Sequence, residues 1–430
     1  MSRALFISGV RTPFQLPLTG YSRMTAVELL ASAFTSLLNK LPIERSEIHH
    51  VTVGTVFQHN KITNIAGEAA SSVNISSPAH NITMACISGQ AAVGEAVNLI
   101  QGGSAELVLV GGVEYLSDIR IQLSKELRKT LLPTLRIPRL TKERFDSVVN
   151  YGFTKSLCKT RLKHLKPEYL RVVEFSTQET FLFNGDKISN KFSVSREEQD
   201  EYAFRSHLLS NAAAYNGKFD SFLCPVSNPY TNIKISADST LRPWKREKIQ
   251  AMKSVSRKGT VTFASANQPC DGAAAILLAS EQAAERLNLV PHAVVSPVSF
   301  SASSPKDKLL MGTTHSLAAL QKHTGREISD VDVIELYEGF AGEVLSQVKA
   351  MRSLEYCREN LGLSEPVADL EMERINRWGG SIGLGHPFGA TGLRLLLHSV
   401  GRMEEGEGSS AVVAGCAGGG LGAAFFVDKL

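Results

Sequence analysis

The sequence predicts an α/β fold in which one βαβ half is written twice, giving a layered, pseudo-symmetric core with a domain inserted between the copies. Three observations predict it. Strand-like apolar runs alternate with segments of helical periodicity; short stretches of the first half recur in the second; and residues from about 120 to about 252 break the pattern, being richer in charge and poorer in alternation.

The elements follow in order. ALFISGV (4–10) is a short apolar run that suits a buried strand. TAVELLASAFTSLLN (25–39) repeats its apolar residues at helical spacing, and HHVTVGTVF (49–57) returns to strand character. Strand, helix and strand in succession imply a parallel sheet covered by helices. In NITMACISGQAAVGEAVNLI (81–100) an apolar run ends at a cysteine and an Ala/Gly-rich helix follows. The second half repeats the order with HAVVSPVSF (292–300), THSLAALQKH (314–323) and DVDVIELYEGF (330–340). SEIHHVTVG (46–54) parallels SDVDVIELY (329–337), and GGSAELVLVGGVE (102–114) parallels GEGSSAVVAGCAG (406–418). The expected division is therefore 1–119 with 253–289 as the first half, 120–252 as the insertion and 290–430 as the second half. Equivalent strand ends of the two halves should converge on one site.

Composition narrows the class. A chain of 430 residues that is 43% hydrophobic can bury a large core, and a net charge of +4 on 88 charged residues gives no reason to expect nucleic acid as a partner. The six cysteines are scattered, without CxxC pairs or metal-ligand spacing, so no metal is expected and a reducing compartment is. The longest apolar run, 411–427, is short of a membrane span and carries five glycines, which reads as a strand and turn. The apolar run that begins at the fourth residue leaves no room for a secretory signal or a detachable transit peptide, and Arg3, Arg11 and Arg23 before the first acid, Glu28, are only a faint transit-like bias. The closing DKL matches the peroxisomal SKL signal in its last two positions only.

Three residues carry chemistry together. Cys86 stands where a strand-like run meets a helix, a place where unpaired N–H groups and the helix dipole favour a thiolate. Cys416, in AVVAGCAGGGLGA (411–423), sits in a turn whose glycines leave backbone N–H groups open to an oxyanion. His386 is the one imidazole in SIGLGHPFGATG (381–392). Each alone has an ordinary structural explanation, as a buried thiol or a histidine in a glycine-rich turn. Two thiols and an imidazole, each at a strand-to-turn junction of a duplicated fold, form a constellation.

On these motifs the chain resembles the thiolases over nearly its whole length. GVRTPF (9–14), MACISG (84–89), GGVE (111–114), GHPFGATG (385–392) and CAGGGLGAA (416–424) carry the likeness. Within the family, EFSTQET (174–180), SREEQDEYAFRSH (195–207) and the LSDI and KELRK after GGVE are most similar to the beta-subunit branch of the mitochondrial trifunctional enzyme. The resemblance implies a five-layered α-β-α-β-α core and a 3-ketoacyl-CoA thiolase of fatty-acid β-oxidation. It implies Cys86 as nucleophile, His386 as its base and a donor to the thioester oxygen, Cys416 as acid/base, and the N–H groups of Cys86 and Gly418 as an oxyanion hole. Ala266, Asn267, Phe340 and Phe388 are expected beside the acyl-CoA. No cofactor is implied, coenzyme A being a co-substrate. The partners implied are acyl-CoA and CoA, a second copy in a homodimer or a dimer of dimers, and a hydratase/dehydrogenase alpha subunit; the location implied is mitochondrial, with peroxisomal or cytoplasmic as alternatives.

Departures from the pattern concern rate and chain length. Tyr337, in ELYEGF (335–340), replaces the family's Asn or His, Asn267 replaces a small serine, and FLFNGDK (181–187) departs from a small Met-Gly lid motif. A phenol at position 337 is expected to reach the substrate's thioester oxygen itself, so that Tyr337→Phe slows turnover while Tyr337→His raises or preserves it. The alternatives are a weak thiolase-like acyl-CoA-binding or assembly subunit, which these departures favour, and a decarboxylating condensing enzyme, which would not need Cys416. From Arg120 to Arg171, fourteen Lys/Arg face four acids, an excess suited to anionic lipid, an acidic partner or CoA phosphates, or to a solvated basic face.

Overall fold

A computed structural model describes residues 2–57, 59, 61–118, 123–125, 127–129 and 173–430. The chain forms two compact units, Met1–Ser117 with Val173–Leu430, and Asp118–Val172. In the smaller unit the Ser124 hydroxyl accepts the Leu127 N–H and starts a helical turn. Nearly all of the basic stretch 120–171, with its expected membrane or partner contact, lies outside the described residues.

The first copy in the larger unit runs β1 (Ala4–Arg11), α1 (Ala26–Leu38), β2 (His50–Gly54), α2 (Ile65–Ser72), β3 (Ala79–Ile82), α3 (Ser88–Gln101) and β4 (Leu107–Glu114), and closes with β7 (Gly272–Ala279). Between β4 and β7 come α4 (Phe181–Lys191), α5 (Arg196–Tyr215) and a hairpin of β5 (Val226–Ser227) and β6 (Lys234–Ile235). The second copy runs β8 (Ala293–Val295), β9 (Ser299–Ala302), α6 (Gly312–Thr324), β10 (Val333–Leu336), α7 (Ala341–Arg352), α8 (Ser381–Leu384), α9 (Thr391–Glu404), β11 (Ser410–Ala417) and β12 (Leu421–Lys429). Helix α1 starts where its sequence says it should. The Thr25 side chain accepts the Glu28 N–H while the Glu28 carboxylate accepts the Thr25 N–H at 2.7 Å, a reciprocal cap.

All the strands but β5 and β6, which pair only with each other, form one sheet in the order β10-β11-β12-β8-β1-β7-β4-β2-β3, with β9 also on β12. The duplication is visible in the pairing. In the first copy the order is β1-β7-β4-β2-β3; in the second, β8/β9-β12-β11-β10, with Ile375 bridging Ile334 in parallel as β3 does β2. Antiparallel β1 and β8, with Ala4 opposite Val295, join the copies edge to edge. The parallel sheet expected from βαβ order is found only for β2 with β3 and β4, and for β10 with β11. Strands β7 and β12 are antiparallel to their neighbours, because β12 follows β11 through a tight turn with left-handed Gly419 and Gly420, and β7 enters from the loop 253–271 rather than from a crossover helix.

Alternate strand residues face opposite sides, and this builds the layers. Val108 and Val110 of β4 join the central core with α3 and α9, whereas Leu107 and Leu109 join the outer core with α1 and α2. In β11, Ala411 and Val413 face the centre, and Val412 and Ala414 the outer core under α6 and α7. Helices, strands, helices, strands and helices thus stack in five layers, with α3 and α9 in the middle.

Residues 173–252 fold with the larger unit, α4 lying on α7 and α5 on α8. A buried ion pair ties this segment to β1: Arg11 holds Asp238 through two bonds of 2.7 and 2.8 Å, and its guanidinium lies over Phe14 and Phe219. Asp238→Ala leaves that guanidinium buried and uncompensated. The expected cost is about 3–5 kcal/mol, read as a lowered urea midpoint at unchanged slope.

Candidate active site

Cys86 sits in a sharp turn between β3 and α3. Ala85 adopts left-handed backbone (φ 47°), and buried Ser88 locks the turn by accepting the Met84 N–H at 2.8 Å and donating to the Ala85 carbonyl at 2.6 Å. The His386 loop docks on this turn backbone to backbone. A Cβ on Gly89 would lie 2.4 Å from the Gly389 carbonyl oxygen, and one on Gly112 2.2 Å from the same atom, so neither position admits a side chain. Glu114, the acid of GGVE, fastens the loop by accepting N–H groups of Val56, Phe57 and Gly389. Burial pushes this carboxyl up to about 8.

The helix end does not make Cys86 a resting thiolate. Burial pushes its thiol up to about 12, and Glu343 adds to the rise. The Tyr337 hydroxyl and the N–H groups of Gly418 and of Cys86 itself lie near enough to the sulfur to oppose it, though short of well-formed hydrogen bonds. Desolvation outweighs what a helix terminus supplies.

His386 is 2% exposed, and its Nδ1 is 2.7 Å from the Thr391 hydroxyl. Its Nε2 is a buried nitrogen without a partner. Burial, and Arg394 after it, push the imidazole down to about 3, so it rests neutral. With the proton on Nδ1, held toward Thr391, Nε2 offers a lone pair to an incoming proton. The loop is set by Glu338, whose carboxylate accepts the Ile382 N–H of α8 and bonds from Tyr202, Ser206 and Asn376.

Cys416, 1% exposed at the end of β11, donates to Glu343 Oε1 at 2.8 Å. Burial first, and the Glu343 carboxyl next, push its thiol well up. Beyond it the glycine turn leaves the Gly418 N–H toward Cys86, while the Gly419 N–H is taken by Glu174 at 2.8 Å. Glu343 was not among the residues expected here, and neither was Glu174.

The segment 265–270 bridges to the chain at Phe340 and at His386. Ala266 pairs with Phe340 and Pro269 with His386, and the His386 N–H donates to the Gln268 carbonyl. Asn267 and Tyr337, the two departures, touch each other: Asn267 Nδ2 donates to the Tyr337 hydroxyl at 2.9 Å and to the Glu338 carbonyl at 2.9 Å. The Tyr337 ring is 4.7 Å from that of His386, and Phe388 stands 4.3 Å away on the same imidazole. Tyr337 does point into the meeting place of the halves. Its hydroxyl accepts from Asn267 and lies near the Cys86 sulfur. Among the described residues no His/Cys/Asp/Glu group is placed to hold a metal ion.

The arrangement is that of an acyl-transfer site with two thiols, and comparison with known proteins agrees. Residues 4–282 match the thiolase N-terminal domain and residues 289–429 the thiolase C-terminal domain. The chain belongs to the thiolase family. It is 36% identical over 435 residues to a probable 3-ketoacyl-CoA thiolase of Caenorhabditis elegans, covering all of this chain and 94% of that one. To the mitochondrial trifunctional enzyme subunit beta of Bos taurus it is 37% identical, over 98% of this chain and 87% of that one. The acetyl-CoA acetyltransferase of Bacillus anthracis superposes with a TM-score of 0.82 at 25% identity, covering 100% of this chain and 99% of that one.

Proposed function

We propose that this protein is a 3-ketoacyl-CoA thiolase, an acyltransferase that cleaves a 3-ketoacyl-CoA with CoA into acetyl-CoA and a shortened acyl-CoA in fatty-acid β-oxidation. The observation that carries it is the convergence of Cys86, Cys416 and the unpartnered Nε2 of His386 in one buried site built from both halves. Nε2 takes the Cys86 proton as the sulfur attacks the 3-keto carbon, which gives a neutral thiol a route to its nucleophilic form. The carbon–carbon bond then breaks, the departing acetyl-CoA enolate takes the Cys416 proton, and a thioester is left on Cys86. The N–H groups of Cys86 and Gly418 receive the negative oxygen of the thioester as CoA attacks it. Cys416 recovers its proton from the CoA thiol, and Cys86, released as the thioester breaks, takes back the proton held on Nε2.

Names of the relatives support further proposals: a mitochondrial location and a second, alpha-type subunit. A homodimer is proposed with them, β3 being the last strand of the sheet and only partly buried along its four residues. Thiolysis of a medium-chain 3-ketoacyl-CoA is the test. Release of acetyl-CoA at a rate dependent on CoA is the expected result; tight acyl-CoA binding without turnover would make the protein a binding or assembly subunit. In the same assay Tyr337→Phe is expected to lower kcat/KM about tenfold, since a hydroxyl that favours the Cys86 thiolate is lost while the ring remains. Unchanged kcat/KM would leave the hydroxyl without a part in catalysis.

A further inference from the structure

We propose that Glu343 is the proton partner of Cys416, so that the acid/base of this site is a carboxyl–thiol pair that gives up one of its two protons, shares the other and carries at most one negative charge. The proposal rests on the thiolase reading above and adds to it a residue that no motif of the sequence supplied.

Glu343 lies in the first turn of α7 and is fully buried. One oxygen, Oε2, accepts the Phe340 N–H at 3.1 Å, an ordinary duty for an acid at a helix start. The other oxygen has no such duty. Oε1 is directed at Cys416 Sγ, 2.8 Å away, and also accepts from Gln347 Nε2 at 3.0 Å. Among the described residues no Lys, Arg or His forms an ion pair with this carboxyl. The titratable groups that bear on it are Cys416 from β11, Cys86 from the turn before α3, and Tyr337 and Glu338 from the segment after β10. All would be neutral or negative, so nothing compensates a carboxylate here. Its burial pushes the group up to about 8.

This decides which protonation state can work. If Glu343 is ionised when Cys416 gives up its proton, two negative charges stand side by side in a buried site, which is strongly disfavoured. If Glu343 is protonated, its O–H donates to the new thiolate. As the Cys416 S–H bond breaks and the C–H bond of acetyl-CoA forms, the electron pair left on sulfur is held by that hydrogen bond. Transfer of the Glu343 proton to sulfur gives a thiol and a carboxylate with the same single charge. The proton of the CoA thiol then restores the pair as CoA attacks the thioester on Cys86, and atoms and charge balance over the cycle. The protonated form is the active one. Turnover is therefore present below about pH 8 and lost as pH rises through it.

The test is the pH dependence of kcat for thiolysis in the wild type, Glu343→Gln and Glu343→Asp. Glutamine keeps an acceptor for the Phe340 N–H and can donate to sulfur, but it cannot release a proton. The wild type is expected to lose kcat above about pH 8, while Glu343→Gln loses this limb and falls about 10- to 100-fold at pH 7 with KM little changed. Glu343→Asp is expected to regain part of the limb. An unchanged profile and kcat in Glu343→Gln would overturn the proposal and leave the residue as a helix cap. Absence of thiolysis in the wild type would instead reject the thiolase reading, and the pair is then tested by alkylation of Cys416 in a Cys86→Ala background, located by mass spectrometry. There Glu343→Gln should move the reaction to lower pH, and an unmoved curve counts against the pair. If Glu343→Gln does not fold, the infrared band of a protonated carboxyl decides, recorded in the wild type and in Cys416→Ser so that Glu114, also raised to about 8, is told apart: a band that shifts in Cys416→Ser and is lost through about pH 8 supports the pair, and absence of any band sensitive to Cys416 overturns it.

Discussion

Cys86→Ala is expected to abolish thiolysis, with a loss of about 10⁴-fold or more, and to leave no acyl group on the protein after incubation with labelled acyl-CoA. The size follows from the site. The reaction needs a covalent thioester to split one difficult step into two, and the Nε2 of His386, buried without a partner, is the acceptor proposed for the Cys86 proton. The other sulfur in the site, Cys416, is 1% exposed and already donates to Glu343, so it cannot take over the attack. Mass spectrometry of the wild type should place the label on Cys86. Label on Cys416, with Cys86→Ala fully active, would reverse the roles given to the two thiols.

Cys416→Ala should separate the half-reactions. Acylation of Cys86 by a simple acyl-CoA breaks no carbon–carbon bond and makes no enolate, so it is expected to continue slowly. Cleavage of a 3-ketoacyl-CoA must protonate an enolate, and without the thiol its rate should fall about 10³-fold or more. The two rates measured on one preparation check this without appeal to folding, because a misfolded variant loses both. Equal losses in both half-reactions would show that Cys416 serves the architecture and not the enolate.

The sequence singled out the two cysteines because Cys86 follows β3 and Cys416 ends β11 among small residues, whereas His386 stands in a loop between helices α8 and α9 and not at the strand-to-turn junction expected for it. Glycines that the packing requires stand near each of them, Gly89 after Cys86, Gly389 after His386 and Gly415 before Cys416. The duplication was legible too, since SEIHHVTVG and SDVDVIELY occupy matched positions as β2 and β10. Strand direction was not. Whether β7 runs with or against β4 is set by the route of a loop, which leaves no periodicity to read. Glu343 escaped for a different reason: in FAGEVLSQV it looks like any acid in the first turn of a helix, and only the burial of Val344 and Val348 beside it hints that this turn faces inward. The contact of Asn267 with Tyr337 joins two positions far apart in sequence, and no local pattern announces such pairs. The resting state of Cys86 also depends on surroundings that no motif encodes.

The place of β1 in the sheet bears on how the chain is made. It precedes the other described strands of the sheet in the chain, yet it lies between β7 and β8, with Leu5 opposite both Ala279 and Val294. Until those residues are synthesised, β1 has both backbone edges unpaired and its apolar side chains uncovered, and β4 likewise waits for β7. The first copy cannot finish folding before the second begins, so folding domain by domain during synthesis is closed to this chain. Pairing over such sequence distances is slow, and open strand edges invite association with other chains. A nascent chain of this topology depends on being shielded until β8 has emerged, and a truncation that stops short of β8 leaves an edge for aggregation where the finished protein has its seam.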